Sequence, residues 1–286
     1  MNPNERSESF ATPGPVRLMV EVPKGRIKIV ARDVQTTRVT LTAIRGDAKS
    51  QQWIAEAELR QSGEEIVVRI RRPEFSWRSM WGGSVEAAIE VPLESAALLS
   101  TGSGRIETDG KLGDVEASTG SGNIHLGESA GVRASTGSGE IAVASSSASV
   151  SAKTGSGDVR IGKVAADVRV VTGSGHAELG EARGAAKLTT ASGNIDIGHA
   201  GDRLEALAVS GDVRIGCADH GRVNARTVSG GISVGVAKGT AALLDVTAVS
   251  GRVKSDLEAS DEPDGDAPQV ELVLHTMSGN VSVARA

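Results

Sequence analysis

From Ser103 onward, aliphatic and polar residues alternate in short runs that return at a nearly fixed interval. Pairs such as Val159/Ile161, Val168/Val170 and Ile195/Ile197 are split by one polar residue, the period of a strand with one buried face. Each run follows a Ser-Gly pair, beginning at Ser103, Ser121, Ser138, Ser156, Ser174, Ser192, Ser210, Ser229, Ser250 and Ser278. The spacings are 18, 17, 18, 18, 18, 18, 19, 21 and 28 residues. After the pair comes a residue of mixed type and then an apolar one, as at Ile106, Ile124, Ile141, Val159, Ala177 and Ile195. A second apolar set, Val115, Val132, Val150, Val168, Ala186, Leu204 and Val223, marks the half period. Two short strands and two turns in about 18 residues predict one coil of a parallel β-solenoid, and the fold class is all-β.

One coil cannot stand alone. About five small aliphatics, at roughly 1.5–3 kcal/mol each, face an ordering cost on the order of 1–2 kcal/mol for every backbone residue. Stacked coils share ladders and bury each other's faces, so many are needed. Residues 97–286 are read as this repeat domain, with an insertion at 257–269. Residues 14–96 contain strands without the strict beat and are read as an irregular β cap over an otherwise open edge. Within them "KGRIKIV" resembles a degenerate coil start. Residues 1–13, polar and ending in Pro-Gly, are expected to be disordered.

The repeated phrase assigns a corner. Ser121-Gly122, Ser156-Gly157 and Ser192-Gly193 fall where the chain turns, and glycine takes positive φ there without a Cβ penalty. The serines are expected to face inward and bond turn backbone or the serine one coil away. Gly157→Val should cost about 1–3 kcal/mol. Gly155 should tolerate change better, because later coils carry Ala191, Val209, Val228, Val249 and Met277 at its position. That position, between an inward Thr and Ser, points outward. Val209, Val228, Val249 and Met277 therefore draw an apolar stripe on the C-terminal half, to be covered by the 257–269 insertion, a second subunit or another partner.

Glycine-rich phrases invite other readings, and their chemistry fails. "GDVRIGKV" (157–164) misses the hydroxyl of a phosphate loop at Val164, and its Val159 and Ile161 alternate as strand residues. A calcium-binding β-roll needs an aspartate in each turn, whereas the column after Ser-Gly includes Arg105, Glu140, His176 and Arg252. A hexapeptide helix needs an aliphatic every six residues, and here the interval is nine. No metal or cofactor is expected. His125 and His176 are three coils apart, and "GCADHG" (216–221) reads as a polar turn beside a half-buried Cys217.

The net charge of −5 offers no basic face to nucleic acid. The start lacks an apolar signal region, and no run of ~20 apolar residues could span a bilayer. A cytoplasmic location is expected, with envelope association left open. Aromatics are 2% of the chain, yet Phe75, Trp77, Met80 and Trp81 cluster in "RPEFSWRSMWGG" (72–83). They are read as a plug of the N-terminal end or as an exposed anchor for a partner or glycan.

The run of T-x-S-G-x-[IV]-x-[IVL] phrases over residues 15–286 resembles the bacterial "putative adhesin" β-strand-repeat family. The ending "GTAALLDVTAVSGRVKSDLE…VELVLHTMSGNVSVARA" is similar to its actinobacterial branch. The resemblance implies a surface-adhesion or envelope-stress role and no catalytic residues. The expected function is a non-enzymatic scaffold with a protein partner or self-association. The other class weighed is a transferase or glycan-active enzyme using a groove along the coils.

Overall fold

The computed structural model describes residues 3–70, 83–257 and 268–286. The chain divides into two compact units, Met1–Ala144 and Ser145–Ala286.

The first unit opens with β1 (Glu5–Ala11), β2 (Arg17–Arg32) and β3 (Thr36–Ala43), then helix α1 (Ala48–Ala55). It continues through β4 (Glu58–Ser62), β5 (Glu65–Arg69), β6 (Val85–Pro92) and β7 (Ala96–Asp109). β8 (Lys111–Leu112), β9 (Val115–Ser121), β10 (Ile124–Ser129) and β11 (Val132–Ser138) follow, and β12 (Ile141–Ser146) straddles the division. The segment expected to be disordered is therefore ordered in part. β1 pairs antiparallel with β3, Glu5 opposite Thr42 through Ala11 opposite Thr36. Its alternating exposed and half-buried positions suit an edge strand.

The degenerate coil start is a coil. β2 runs parallel to β7 with Gly25 opposite Gly104 and Ile27 opposite Ile106, so Lys24-Gly25 occupies the Ser-Gly corner and Gly25 has φ +137°. β5 and β6 lie on the other side of β2. Sequence order is thus not spatial order here: the coil made by β5 and β6 is outside the one that precedes it. Antiparallel β4 covers β5, and antiparallel β3 covers β6. The helix is started by Asp47, whose carboxylate accepts from Ser50 N at 2.9 Å. Ala, Lys and Gln then sustain it without an early β-branched residue. It buries Trp53 and Ile54 against β1, β3 and β6.

The second unit holds β13 (Val150–Ser156), β14 (Val159–Val164), β15 (Val168–Ser174), β16 (Ala177–Ala182), β17 (Ala185–Ser192) and β18 (Ile195–Ala200). Then come β19 (Arg203–Ser210), β20 (Val213–Ala218), β21 (Gly221–Ser229) and β22 (Ile232–Val236). β23 (Ala241–Ser250), β24 (Val253–Ser255), β25 (Gln269–Ser278) and β26 (Val281–Arg285) complete it. β13, β15, β17, β19 and β21 form one parallel ladder, and β14, β16, β18, β20 and β22 the other. The half-period residues Val168, Leu204 and Val223 are buried, as are Val159, Ile161 and Ile195 on the opposite strands. The final coils break sequence order. β25 lies between β21 and β23, and β26 between β22 and β24.

The corner glycines behave as the repeat requires. Gly122, Gly157 and Gly193 have φ of 151°, 149° and 151°. A Cβ at Gly122 or Gly193 would lie 2.0 Å from the carbonyl oxygen of the corner glycine one coil below. At the outward position before the serine, a Cβ on Gly120 or Gly173 would meet a carbonyl at 2.6 Å, but the backbone there does not have a positive φ. The inward serine is a correction. Ser121, Ser156 and Ser192 are exposed, because the corner rotates them away from the core. What the serine column supplies is its carbonyls, which accept from Gly122, Gly157 and Gly193 N–H of the adjacent coil at 2.8–3.0 Å. The buried hydroxyl is that of the threonine two residues earlier. Thr172 donates to Gly157 O at 3.1 Å, Thr227 to Gly211 O and Thr276 to Gly230 O at 3.0 Å.

Candidate interaction surface

Of the outward positions singled out in the repeat, four stand together. Register pairs on either side set Val209 beside Val228 and Val228 beside Met277. Val249 comes last, beside Met277. The row therefore runs 209, 228, 277, 249, not in chain order. These side chains are 48%, 42%, 57% and 74% exposed, and Leu207 lies near the start of the row at 43%. Parallel coils repeat at about 4.8 Å, so the row is a continuous apolar strip. Phe75, Trp77, Met80 and Trp81 lie outside the described residues, as do residues 258–267 of the insertion. The cover that the insertion was expected to give the strip falls on those residues.

The strip ends at an open coil. β23 pairs with β25 and, among the described residues, with no second strand. Its inward residues Ala242, Leu244, Val246 and Ala248 are only half-buried, whereas Leu272 and Leu274, their neighbours on β25, are fully buried. Leu243 is 70% and Val253 on β24 is 52% exposed. Sequence reasoning missed Leu243 and Val253. The signal was available: in "AALLDVTAVS" apolar residues occupy inward and outward positions alike, which a strand with one buried face does not need.

A second ladder explains the mixed column after each Ser-Gly pair. Asp158 Oδ1 accepts from His176 N at 2.9 Å, His176 Nδ1 from Asn194 N at 3.2 Å, and Asn194 Oδ1 from Asp212 N at 2.9 Å. Asp212 Oδ1 accepts from Gly231 N at 2.8 Å, and Asn280 Oδ1 from Arg252 N at 3.0 Å. Where a rung forms it uses a short acceptor, which Asn, Asp and His each provide. Gly231 and Arg252 have none to offer.

The polar turn at 216–221 extends one coil further than the sequence indicated. His220 Nε2 lies 2.9 Å from Asp202 Oδ1 and its Nδ1 2.5 Å from Asp219 Oδ1. Asp219 Oδ2 is 3.3 Å from His199 Nε2. Partial burial works to lower the His220 pKa, but the hydrogen bond and charge of Asp219, with those of Asp202, outweigh it and raise the value. For Asp219 partial burial works upward, and the His220 hydrogen bond and charge hold it below the ordinary carboxylate value. All four side chains are substantially exposed. No group of three or more His, Cys, Asp or Glu among the described residues could hold a metal. A cleft of about 440 Å³ is lined by Gly162, Lys163, Gly180, Glu181 and His199. Its glycines are set by packing, since a Cβ at Gly180 would come within 2.6 Å of Gly162 O. Arg160 and Glu178, opposite each other on adjacent coils, are 3.6 Å apart on the outer face.

Residues 16–284 match the family model described as Toastrack DUF4097. A comparison with curated proteins gives no match. Among solved structures, a "putative adhesin" from Parabacteroides merdae is 10% identical over 99% of this chain and 97% of its own, with a TM-score of 0.44. Another "putative adhesin", from Bacteroides fragilis, is 12% identical over 98% and 96%, with a TM-score of 0.41. A "putative lipid binding protein" from Parabacteroides distasonis is 8% identical over 100% and 98%, with a TM-score of 0.33. No helix among the described residues is long and apolar enough to cross a membrane.

Proposed function

The chain belongs to the Toastrack DUF4097 family, and on that premise we propose that it is a non-catalytic β-solenoid scaffold that engages a protein or a surface through its last coils. The observation that carries this reading is the exposed row of Val209, Val228, Met277 and Val249. A contiguous apolar strip on a solvent-facing surface marks an interaction site. The coils spend their polar groups on ladders: threonine to corner carbonyl, and Asn, Asp or His to the next coil's N–H. That leaves little convergent chemistry for an enzyme.

Immobilised protein exposed to native lysate tests the reading. Wild type should retain a protein that the Val209→Ser, Val228→Ser, Met277→Ser variant loses, at a Tm close to wild type because the three side chains are already solvated. Equal retention by both would overturn it.

A further inference from the structure

We propose that the end of the second unit, the edges of β23 and β24 that are unpaired among the described residues, is the seat of a second copy of this chain, related by a two-fold axis. The inference rests on the scaffold reading and names the partner at one place within it. β23 is ten residues long, holds one charged side chain and no proline, and carries an unpaired ladder edge among the described residues. Long apolar edges of this kind are what folded sheets normally blunt or cover.

The strand is complementary to itself when it is read backwards. Pairing β23 antiparallel to its copy about Val246 keeps inward residues opposite inward ones. Val246 then meets Val246 of the partner subunit, and Leu244 faces the partner's Ala248, which closes the half-open core. On the outer face Leu243 faces the partner's Val249, covering the two most exposed aliphatic side chains in the protein's described residues. Asp245 faces the partner's Thr247 and not a second carboxylate, so no like charges meet. On β24 the antiparallel register about Ser255 sets Lys254 against the partner's Asp256, a favourable charge pairing that the two already make within one chain at 3.2 Å.

An axis perpendicular to both strands maps each edge onto itself, so one partner covers β23 and β24 together. Such an interface is isologous and closes at two subunits.

The test is mass by light scattering over a dilution series, with three variants of the full chain. Wild type should form a particle of twice the 29.2 kDa chain mass. Thr247→Asp places two symmetry-related pairs of carboxylates face to face and should weaken the dimer about tenfold. Thr247→Lys, at the same exposed position, should tighten it. In a Cys217→Ser background, Val246→Cys should cross-link to itself on mild oxidation. Directly opposed residues of antiparallel strands lie roughly 4.5–5.5 Å apart at Cα, inside the range of a disulfide. A monomer at every concentration overturns the proposal. So does a dimer that is indifferent to both Thr247 charges and fails to cross-link in the Val246→Cys variant. A monomer that still captures a lysate protein through the Val209 row would sink the dimer and leave the scaffold reading standing. A dimer that captures nothing would do the reverse.

Discussion

Both ends of the chain place a coil out of sequence order, yet they finish it differently. In the first unit the outermost coil, β5 and β6, is covered by antiparallel β4 and β3, and β1 then covers β3. The strands that remain at the rim, "ERSESFA" and "ELRQS", are polar. α1 adds Trp53, only 6% exposed. In the second unit the outermost coil, β23 and β24, has no such strands among the described residues, and its rim "AALLDVTAVS" is apolar. The out-of-order step is common to both and is a topological device: an interior strand is held by two ladders, so the terminal segments are locked between neighbours. The finish is what separates them. A polar antiparallel rim ends a stack, and an apolar bare rim invites another surface.

If the contrast is sound, the same kind of substitution should cost far more in the first unit. Trp53→Ala should destabilise that unit by about 3–5 kcal/mol, the range for a buried tryptophan, whereas Leu243→Ala, at 70% exposure, should change monomer stability by less than about 0.5 kcal/mol. Denaturant melts at a concentration where the chain is monomeric separate the two. Comparable losses would mean that the β23 rim is covered by the chain itself. Corner glycines give a finer comparison. Gly25 (φ +137°) lies between two coils, and a Cβ added there would stand 2.0 Å from Val85 O. Among the described residues Gly251 (φ +150°) has a neighbouring coil on one side only, with Gly279 O at 1.9 Å from the same added atom. Gly25→Val should cost about 1–3 kcal/mol and Gly251→Val less, because an end coil can shift outward. Thr172→Val removes a buried hydroxyl from Gly157 O and should cost about 1 kcal/mol. The equivalent position in β23 is already Ala248.

The repeat was legible because its causes are local. Alternation places Val159 and Ile161 inward whatever lies around them, and a backbone at φ near +150° selects glycine at 157. Ladders between coils were legible only in part. The column Asp158, His176, Asn194, Asp212 looked heterogeneous as residue types, but it is uniform in the one property it uses, an acceptor within reach of the next N–H. The serine at 121 was misplaced because alternation was carried through a corner, where the strand direction and hence the facing changes. Coil order could not be read at all. β21, β23 and β25 carry the same inward positions in matching register, so β25 fits between β21 and β23 as well as after β23, and only long-range pairing decides. The apolar row was visible at Val209, Val228, Val249 and Met277, while its sequence of neighbours depended on that order.

Acid–base behaviour should separate the units most gently. His176, His199, His220 and His275 belong to the second unit and His125 alone to the first. His220 is held between Asp202 and Asp219, with His199 facing Asp219 from the neighbouring coil. Its folded pKa is raised, so the stability it contributes is complete below its unfolded value, about 6.5, and is lost as pH rises through the higher folded value. Asp219 is depressed, so its share is complete above the unfolded aspartate value, about 3.9, and is lost as pH falls through the lower folded value. The pair therefore stabilises most between about pH 4 and 6.5. Because these groups are well exposed, the gain should stay within the ~0–1 kcal/mol of a surface ion pair. Hydrogen exchange should thus show amides around residues 199–222 opening more readily at pH 8 than at pH 6, after correction for intrinsic rates, with those of the first unit unchanged. His220→Asn should abolish that difference. A first unit that loosens equally, or a variant that keeps the pH dependence, would show that the His220 cluster does not set it.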